Sequence, residues 1–260
     1  MSEKILRALM RLFAIIAKAD ETTDNSTEVV ESYLKNQLNN EQVKEYLGVY
    51  EEFLKAQDEG AEGEKKKRRL AVSSVKVIVI CNQINEELTQ RQKYVVLLNL
   101  IEFVSAKGVV SDLEMEFLET VSGSFNIPEE EFRESLELAV KQSANDLSDS
   151  ASLLFIGPKQ TAGKTTTRYF ASDSVSGGLV VQRVNSTGMY LLRYYGKAEL
   201  FLNGQIMVAG RTYIFSPGSS IRSSKVQPIY YSDVVSCFLT DTGDAKLLFA
   251  VERLKFKFKN

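Results

Sequence analysis

Histidine and tryptophan are both absent from these 260 residues, and cysteine occurs only twice. Without histidine there can be no Ser-His-Asp or Cys-His catalytic apparatus, no imidazole general base and no His-ligated zinc. Cys81 and Cys237 lie far apart in the sequence, which favours a reducing compartment over a disulfide framework. No apolar run approaches the ~18 residues of a membrane span. We therefore expect a non-catalytic, cytoplasmic chain that does not itself insert into a membrane.

Proline is also scarce, and its distribution separates two regions of different composition. Up to about residue 143, apolar residues recur periodically among many Glu and Lys, and Pro128 is the only proline. After residue 152 the sequence is instead rich in β-branched residues, aromatics and Gly. Charge divides in the same way: residues 151–260 carry 14 Lys and Arg against 6 Asp and Glu, and residues 1–150 carry 18 against 28. The sequence predicts an α+β protein with two domains, a helical domain at 1–147 and a β-sandwich at 152–245.

The periodicity of the first region predicts seven helices. Their predicted ranges are 3–19, 25–38, 40–58, 66–87, 89–106, 112–124 and 129–143. Ser111 and Glu114 have the spacing of a capping box, and Pro128 precedes three acids that suit a first helical turn. The first helix also crudely imitates a signal peptide, but Arg11 interrupts its apolar stretch. A mature amphipathic helix is therefore the preferred interpretation.

The stretch FIGPKQTAGKTTT, residues 155–167, superficially resembles a phosphate-binding loop. Such a loop places four residues between its two glycines and opens into a helix. Here five residues lie between Gly157 and Gly163, and the sequence after Thr167 has no helical apolar stripe. We therefore predict a hairpin loop between two strands and no nucleotide site in this stretch.

Two segments of the helical region repeat the order of apolar helix, short polar turn and acidic helix. They are LFAIIAKADETTDNSTEVVESYL and LIEFVSAKGVVSDLEMEFLETVSGSFNIPEEEF. This pattern resembles the TerB-like helical domain of tellurite resistance. The resemblance implies a divalent cation held by Asp20, Asp24, Glu28, Asp112 and Glu114. The alternative interpretation is that these acids lie at helix N-termini and face solvent.

The second region contains a strong hairpin signal, Asn203-Gly204, between two apolar runs. The surrounding stretch LFLNGQIMVAGRTYIFSPGSSIR resembles the late strands of a forkhead-associated (FHA) domain, a β-sandwich whose loops bind phosphothreonine. Of that family's phosphopeptide-binding pattern, this chain matches only Asn203 and Gly204. With the scattered cations Arg183, Arg193 and Arg222, whose charge suits an anion, we expect them to form a partner-binding or phosphate-binding loop. The alternative interpretation is that this region docks on another part of the same protein. The basic residues of this region are scattered, so nucleic acid is not expected as a partner.

The sequence ends in AKLLFAVERLKFKFKN, in which Phe and Lys alternate as in a strand with one apolar and one basic face. This segment, 246–260, resembles the opening strand of an ATP-binding cassette (ABC) domain, where Phe258 would stack on adenine. The equally open alternative is a last sandwich strand.

The order of modules resembles the cytoplasmic N-terminal region of certain bacterial ABC transporters. This resemblance implies that the chain is a regulatory region that docks on the ATPase or on a partner protein. ATP would then be bound only by a longer protein of which this chain is a part. The alternative is a free-standing stress-response adaptor that binds a divalent metal or a phosphorylated protein.

Overall fold

A computed structural model describes residues 3–19, 26–35, 38–58, 66–105, 108–158, 164–172, 175, 177–224 and 227–239. Its first region is helical, as the periodicity predicts. The helices are α1 (Glu3–Ala19), α2 (Ser26–Lys35), α3 (Asn40–Asp58), α4 (Lys66–Glu87), α5 (Gln90–Ser105), α6 (Asp112–Ser124) and α7 (Glu129–Val140).

Helix α1 forms the centre of the helical core. It packs against α3, α4 and α5, and its large apolar side chains, including Leu9, Leu12 and Phe13, are fully buried. The polar residues at its start, Glu3 and Lys4, remain exposed. Burying a side chain of this size contributes about 1.5–3 kcal/mol, so α1 supplies much of the stability of this region.

Local signals place the later helices. Ser111 caps α6 by accepting from the Glu114 N–H, while the Glu114 carboxylate accepts from the Ser111 N–H at 2.9 Å, which confirms the predicted capping box. Helix α7 begins directly after Pro128 and carries three acids in its first turn, where the helix dipole favours them.

The second region contains two sheets. The larger sheet has the order β2-β1-β3-β4-β7, and the smaller has the order β6-β5-β8-β9. The strands are β1 (Leu153–Gly157), β2 (Arg168–Ala171), β3 (Leu179–Val184), β4 (Met189–Tyr194), β5 (Phe201–Leu202), β6 (Gln205–Ile206), β7 (Thr212–Phe215), β8 (Ser220–Arg222) and β9 (Ile229–Tyr230). A further helix, α8 (Tyr231–Leu239), follows β9, and the strand pattern did not predict it.

The larger sheet is covered on both faces. Along β3, alternate residues such as Val180 and Val184 join the core of the helical region, while Leu179 and Val181 join a second core shared with the smaller sheet and α8. Every residue of the neighbouring strand β4 is buried as a result. The strand region is thus a two-sheet arrangement whose larger sheet also rests on the helices.

Two turn predictions have different outcomes. Asn203 and Gly204 both have positive φ, 53° and 84°, and connect antiparallel β5 and β6, which confirms the two-residue hairpin. The hairpin predicted around residues 155–167 is wrong, because β1 and β2 run parallel. Parallel neighbours need a crossover connection, and a tight turn cannot supply one.

Candidate functional site

The interface between α7 and the larger sheet joins the two regions of the chain. Its apolar part includes Leu138 of α7 together with Val180, Met189 and Leu191 of the sheet, all buried in one core. Polar side chains also cross this interface, and each needs a hydrogen-bond partner because burial removes it from water. We call these residues and their partners the α7–sheet interface.

Gln182 occupies the middle of the α7–sheet interface and is completely buried. Its Oε1 accepts from the Ser135 hydroxyl at 3.0 Å, and its Nε2 donates to the Glu131 carbonyl oxygen and the Glu134 carboxylate, both at 3.3 Å. The Tyr94 hydroxyl extends the network, lying 2.6 Å from Ser135 Oγ. Burial raises the pKa of Tyr94, so its hydroxyl stays protonated. Residues of α5, α7 and β3 are thereby held in one hydrogen-bonded network.

Three glutamates of α7, spaced three residues apart, accept hydrogen bonds from serines on the strand side. Glu131 accepts from Ser186, whose backbone N–H and hydroxyl lie at 2.8 and 2.5 Å. Farther along the helix, the hydroxyls of Ser150 and Ser152 donate to Glu134, and Ser148 donates to Glu137 through both its N–H and its hydroxyl at 2.8 Å. Hydrogen bonds to charged acceptors are stronger than neutral ones, so this row fixes the segment that enters β1.

Arg193 contributes the basic side chain of the α7–sheet interface. It is 3% exposed, and its guanidinium donates to the Ala139 carbonyl oxygen near the C-terminal end of α7. The same guanidinium lies over the Tyr195 ring, with 5.6 Å between Arg193 Cζ and the ring centroid. A cation is favoured at a helix C-terminus because the carbonyl dipoles point there. Desolvation lowers the pKa of Arg193, and nearby Tyr195 and Glu102 oppose that shift.

Glu102 of α5 reaches the start of β7 from the helical side. Its carboxylate accepts from the Thr212 N–H at 3.1 Å. Burial raises the pKa of Glu102, while hydrogen bonds from Thr212 and the charges of Arg193 and Arg211 act against the rise. The contact secures the edge strand of the larger sheet to α5, on the side of the sheet that Arg193 also faces.

The segment connecting α7 to β1 contains another carboxylate with many donors. Asp149 accepts backbone N–H bonds from Thr165 at 2.8 Å, Thr166 at 3.0 and 3.2 Å, and Thr167 at 2.7 Å. The hydroxyls of Thr165 and Thr167 donate to it as well, at 3.1 and 2.7 Å. These hydrogen bonds hold the pKa of Asp149 well below its usual value, and the bond from the Thr167 hydroxyl has the largest effect. Nothing in the sequence pattern singled out Asp149.

The five residues predicted to form one partner-binding loop lie on two different sheets. Arg183 is half-buried on β3 opposite Tyr190, and Arg222 is exposed on β8 with its guanidinium over the Tyr230 ring. Including Arg193 was wrong, because it lies within β4 and its charge is buried. The alternation of side chains along β4 places Arg193 on one face of the sheet. Whether that face is exposed or buried depends on the helices that cover it, and the strand sequence does not show them.

Asn203 and Gly204 do form an exposed turn, and the turn has a structural role of its own. The Asn203 side chain accepts from the Ser220 N–H at 2.9 Å and donates to the Ser219 hydroxyl at 3.1 Å. These bonds tie the hairpin to the neighbouring strand β8. Binding of a phosphorylated partner at this turn stays a prediction.

The residues predicted to hold a cation are only partly described. Asp20 and Asp24 lie outside the described residues, while Glu28 and Asp112 are exposed on α2 and α6. Glu114 is 3% exposed, so the alternative of a solvent-facing acid is wrong for this residue. Its carboxylate accepts from Ser111 because it belongs to the capping box. In the described part of the chain, no three Asp, Glu or Cys side chains are grouped as metal ligands.

The predicted adenine contact, Phe258, and the segment 246–260 also lie outside the described residues. Among the helices that the structure describes, none combines the length and apolar character needed to cross a bilayer.

An acidic helical bundle followed by a two-sheet region, with a polar interface between them, defines an α+β protein of two regions. A family model described as tellurite resistance protein TerB matches residues 6–136. The chain therefore belongs to the TerB family, and the matched range ends within α7. Neither the curated proteins nor the solved structures include a match to this chain.

Proposed function

We propose that this chain is a non-catalytic regulatory region of an ABC-type transporter that docks on the ATPase or on a partner protein. The observation that carries the proposal is the α7–sheet interface. Its buried Gln182, its glutamate row and the inserted Arg193 each bond to a group on the other region: Gln182 to Ser135 of α7, Glu131 to Ser186, and Arg193 to the Ala139 carbonyl oxygen. A pair of regions held in this way can transmit a displacement at one surface to the other.

The outer surface of the helical region also supports a role in binding. Val75, Ile78 and Val79 of α4 lie at helical spacing and are 61, 44 and 51% exposed. Neighbouring exposed apolar side chains on one helix face are typical of protein interaction sites. Residues 1–150 as a whole carry 28 Asp and Glu against 18 Lys and Arg, which suits a basic partner surface.

The transporter part of the proposal rests on the order of modules and on the resemblance of residues 246–260 to an ABC opening strand. Its test is to fractionate lysate of the source organism and to probe both fractions with an antibody raised against this chain. We expect a membrane-associated band far above 29.2 kDa, the mass of this chain. A soluble band at that mass would contradict the transporter assignment. Purified chain should hydrolyse no ATP above a buffer control.

A second candidate follows from the family name, which points to a stress-response adaptor that binds a divalent ion. Calorimetric titration of the chain with calcium or magnesium discriminates between the two. Saturable binding that is lost on Asp20→Ala, but kept on Glu116→Ala at the exposed face of α6, favours the adaptor. Absence of heat with both ions favours the docking region.

A further inference from the structure

The three threonines 165–167 direct an unusually large number of donors at the one carboxylate they surround. Five groups point at Asp149, namely three consecutive backbone N–H groups and two hydroxyls. A carboxylate offers about four lone-pair positions on two oxygens. The N–H of Thr166 is accordingly divided between both oxygens, at 3.0 and 3.2 Å. A tetrahedral anion, with three or four oxygens, also offers enough acceptor positions for these five donors.

Successive backbone N–H groups that converge in this way form a concave nest, a structure that binds phosphate in many proteins. The nest also lies at the surface. Asp149, Thr165 and Thr166 are exposed, so a dissolved anion can approach from their side, while Thr167, which is 8% exposed, forms the inner wall of the nest. The ammonium of the adjoining Lys164 is directed at the Ala144 carbonyl oxygen, 2.9 Å away, and adds a positive charge beside the nest.

We propose that residues 165–167 form an oxyanion-binding nest that Asp149 occupies as an internal ligand and that phosphate, free or as a monoester, takes in its place. Asp149 belongs to the segment between α7 and β1, which also carries the serines bonded to Glu134 and Glu137. Displacing Asp149 would release one attachment of that segment. The inference is independent of the transporter assignment, because it rests only on this donor set.

The test is an NMR titration of the full chain with inorganic phosphate at constant ionic strength, in wild type and in Asp149→Ala. Removing the tethered carboxylate removes a competitor whose effective concentration is in the millimolar range or above, so phosphate should bind at least about tenfold more tightly to the variant. The amide signals of residues 165–167 should shift and saturate. Thr167→Val in the Asp149→Ala background should weaken binding, because it deletes a donor and keeps the shape.

Asp146→Ala is the matched control, since it removes an exposed acid from the same segment without touching the nest. Equal phosphate affinity in Asp149→Ala and Asp146→Ala would overturn the proposal. It would also be overturned if Asp149→Ala folds but the amide NMR signals of residues 165–167 do not shift on addition of phosphate. If Asp149→Ala does not fold, the wild-type titration decides: saturable shifts of the same amides support the nest, and their absence overturns it.

A second arm replaces inorganic phosphate with phenyl phosphate. Tighter binding of the ester would show that the nest prefers a phosphate monoester to the free ion. Equal binding would show that the nest recognises the phosphoryl oxygens alone.

Discussion

Replacing Gln182 with leucine tests whether the polar network of the α7–sheet interface stabilises the protein. The substitution keeps the approximate volume of a completely buried side chain and deletes its three hydrogen bonds, to Ser135, Glu131 and Glu134. A neutral hydrogen bond contributes about 0.5–1.5 kcal/mol and one to a charged group about 1.5–3 kcal/mol.

Two features of the structure reduce the expected loss. Both bonds made by the Gln182 amide nitrogen are long, at 3.3 Å, and the Glu131 carbonyl oxygen keeps a second donor in the Tyr94 hydroxyl at 3.2 Å. Glu134 likewise keeps its serine donors. We therefore expect Gln182→Leu to lower the free energy of unfolding by about 2–3 kcal/mol.

The assay is urea unfolding followed by circular dichroism for the helices and by the amide NMR signals of β4 for the sheet. The matched control is Gln205→Leu, an exposed glutamine of β6, which should change the free energy of unfolding by no more than about 0.5 kcal/mol. Equal effects of the two substitutions would refute the reasoning, because buried hydrogen bonds would then contribute nothing beyond a surface change.

Three further predictions concern stability. Leu9→Ala should lower the free energy of unfolding by about 2–5 kcal/mol, against a change within about 0.5 kcal/mol for Val109→Ala, which is 81% exposed. Gly177→Ala should lower the urea midpoint more than Gly204→Ala does. Both glycines have positive φ, but only at residue 177 would the new Cβ collide with the backbone of a neighbouring segment, at Gly196. Burial raises the pKa of Glu102, so its stabilising contribution is complete at acid pH and is lost as the pH rises through the raised pKa. The urea midpoint of Glu102→Gln should therefore equal that of wild type at acid pH and lie above it at neutral pH. A midpoint below that of wild type at neutral pH would contradict this.

The helices were predictable from the sequence because each carries its own local signals. Four predicted ranges, including 3–19 and 112–124, agree with the structure at both ends. The predicted range 129–143 is longer than α7 (Glu129–Val140), because the backbone of Lys141 is extended, with φ −66° and ψ 137°. Apolar periodicity, a capping box and a proline before the first turn all act within a few residues, so one sequence suffices to find them.

The α7–sheet interface was not predictable in the same way, because it depends on residues far apart in the chain. Arg193 was predicted to contact an external anion, and only the packing of β4 against α7 shows that its partner is a backbone carbonyl. Asp149 and Gln182 carry no motif at all. Parallel pairing of β1 with β2 escaped prediction for a related reason, since strand direction is set by the connection and by tertiary packing.

Differential scanning calorimetry of the full chain shows whether the α7–sheet interface holds the helical and strand regions together as one cooperative unit. We expect a single unfolding transition whose calorimetric enthalpy equals its van't Hoff enthalpy. Two separate transitions, or a calorimetric enthalpy well above the van't Hoff value, would show that the regions unfold independently and that the interface does not hold them together.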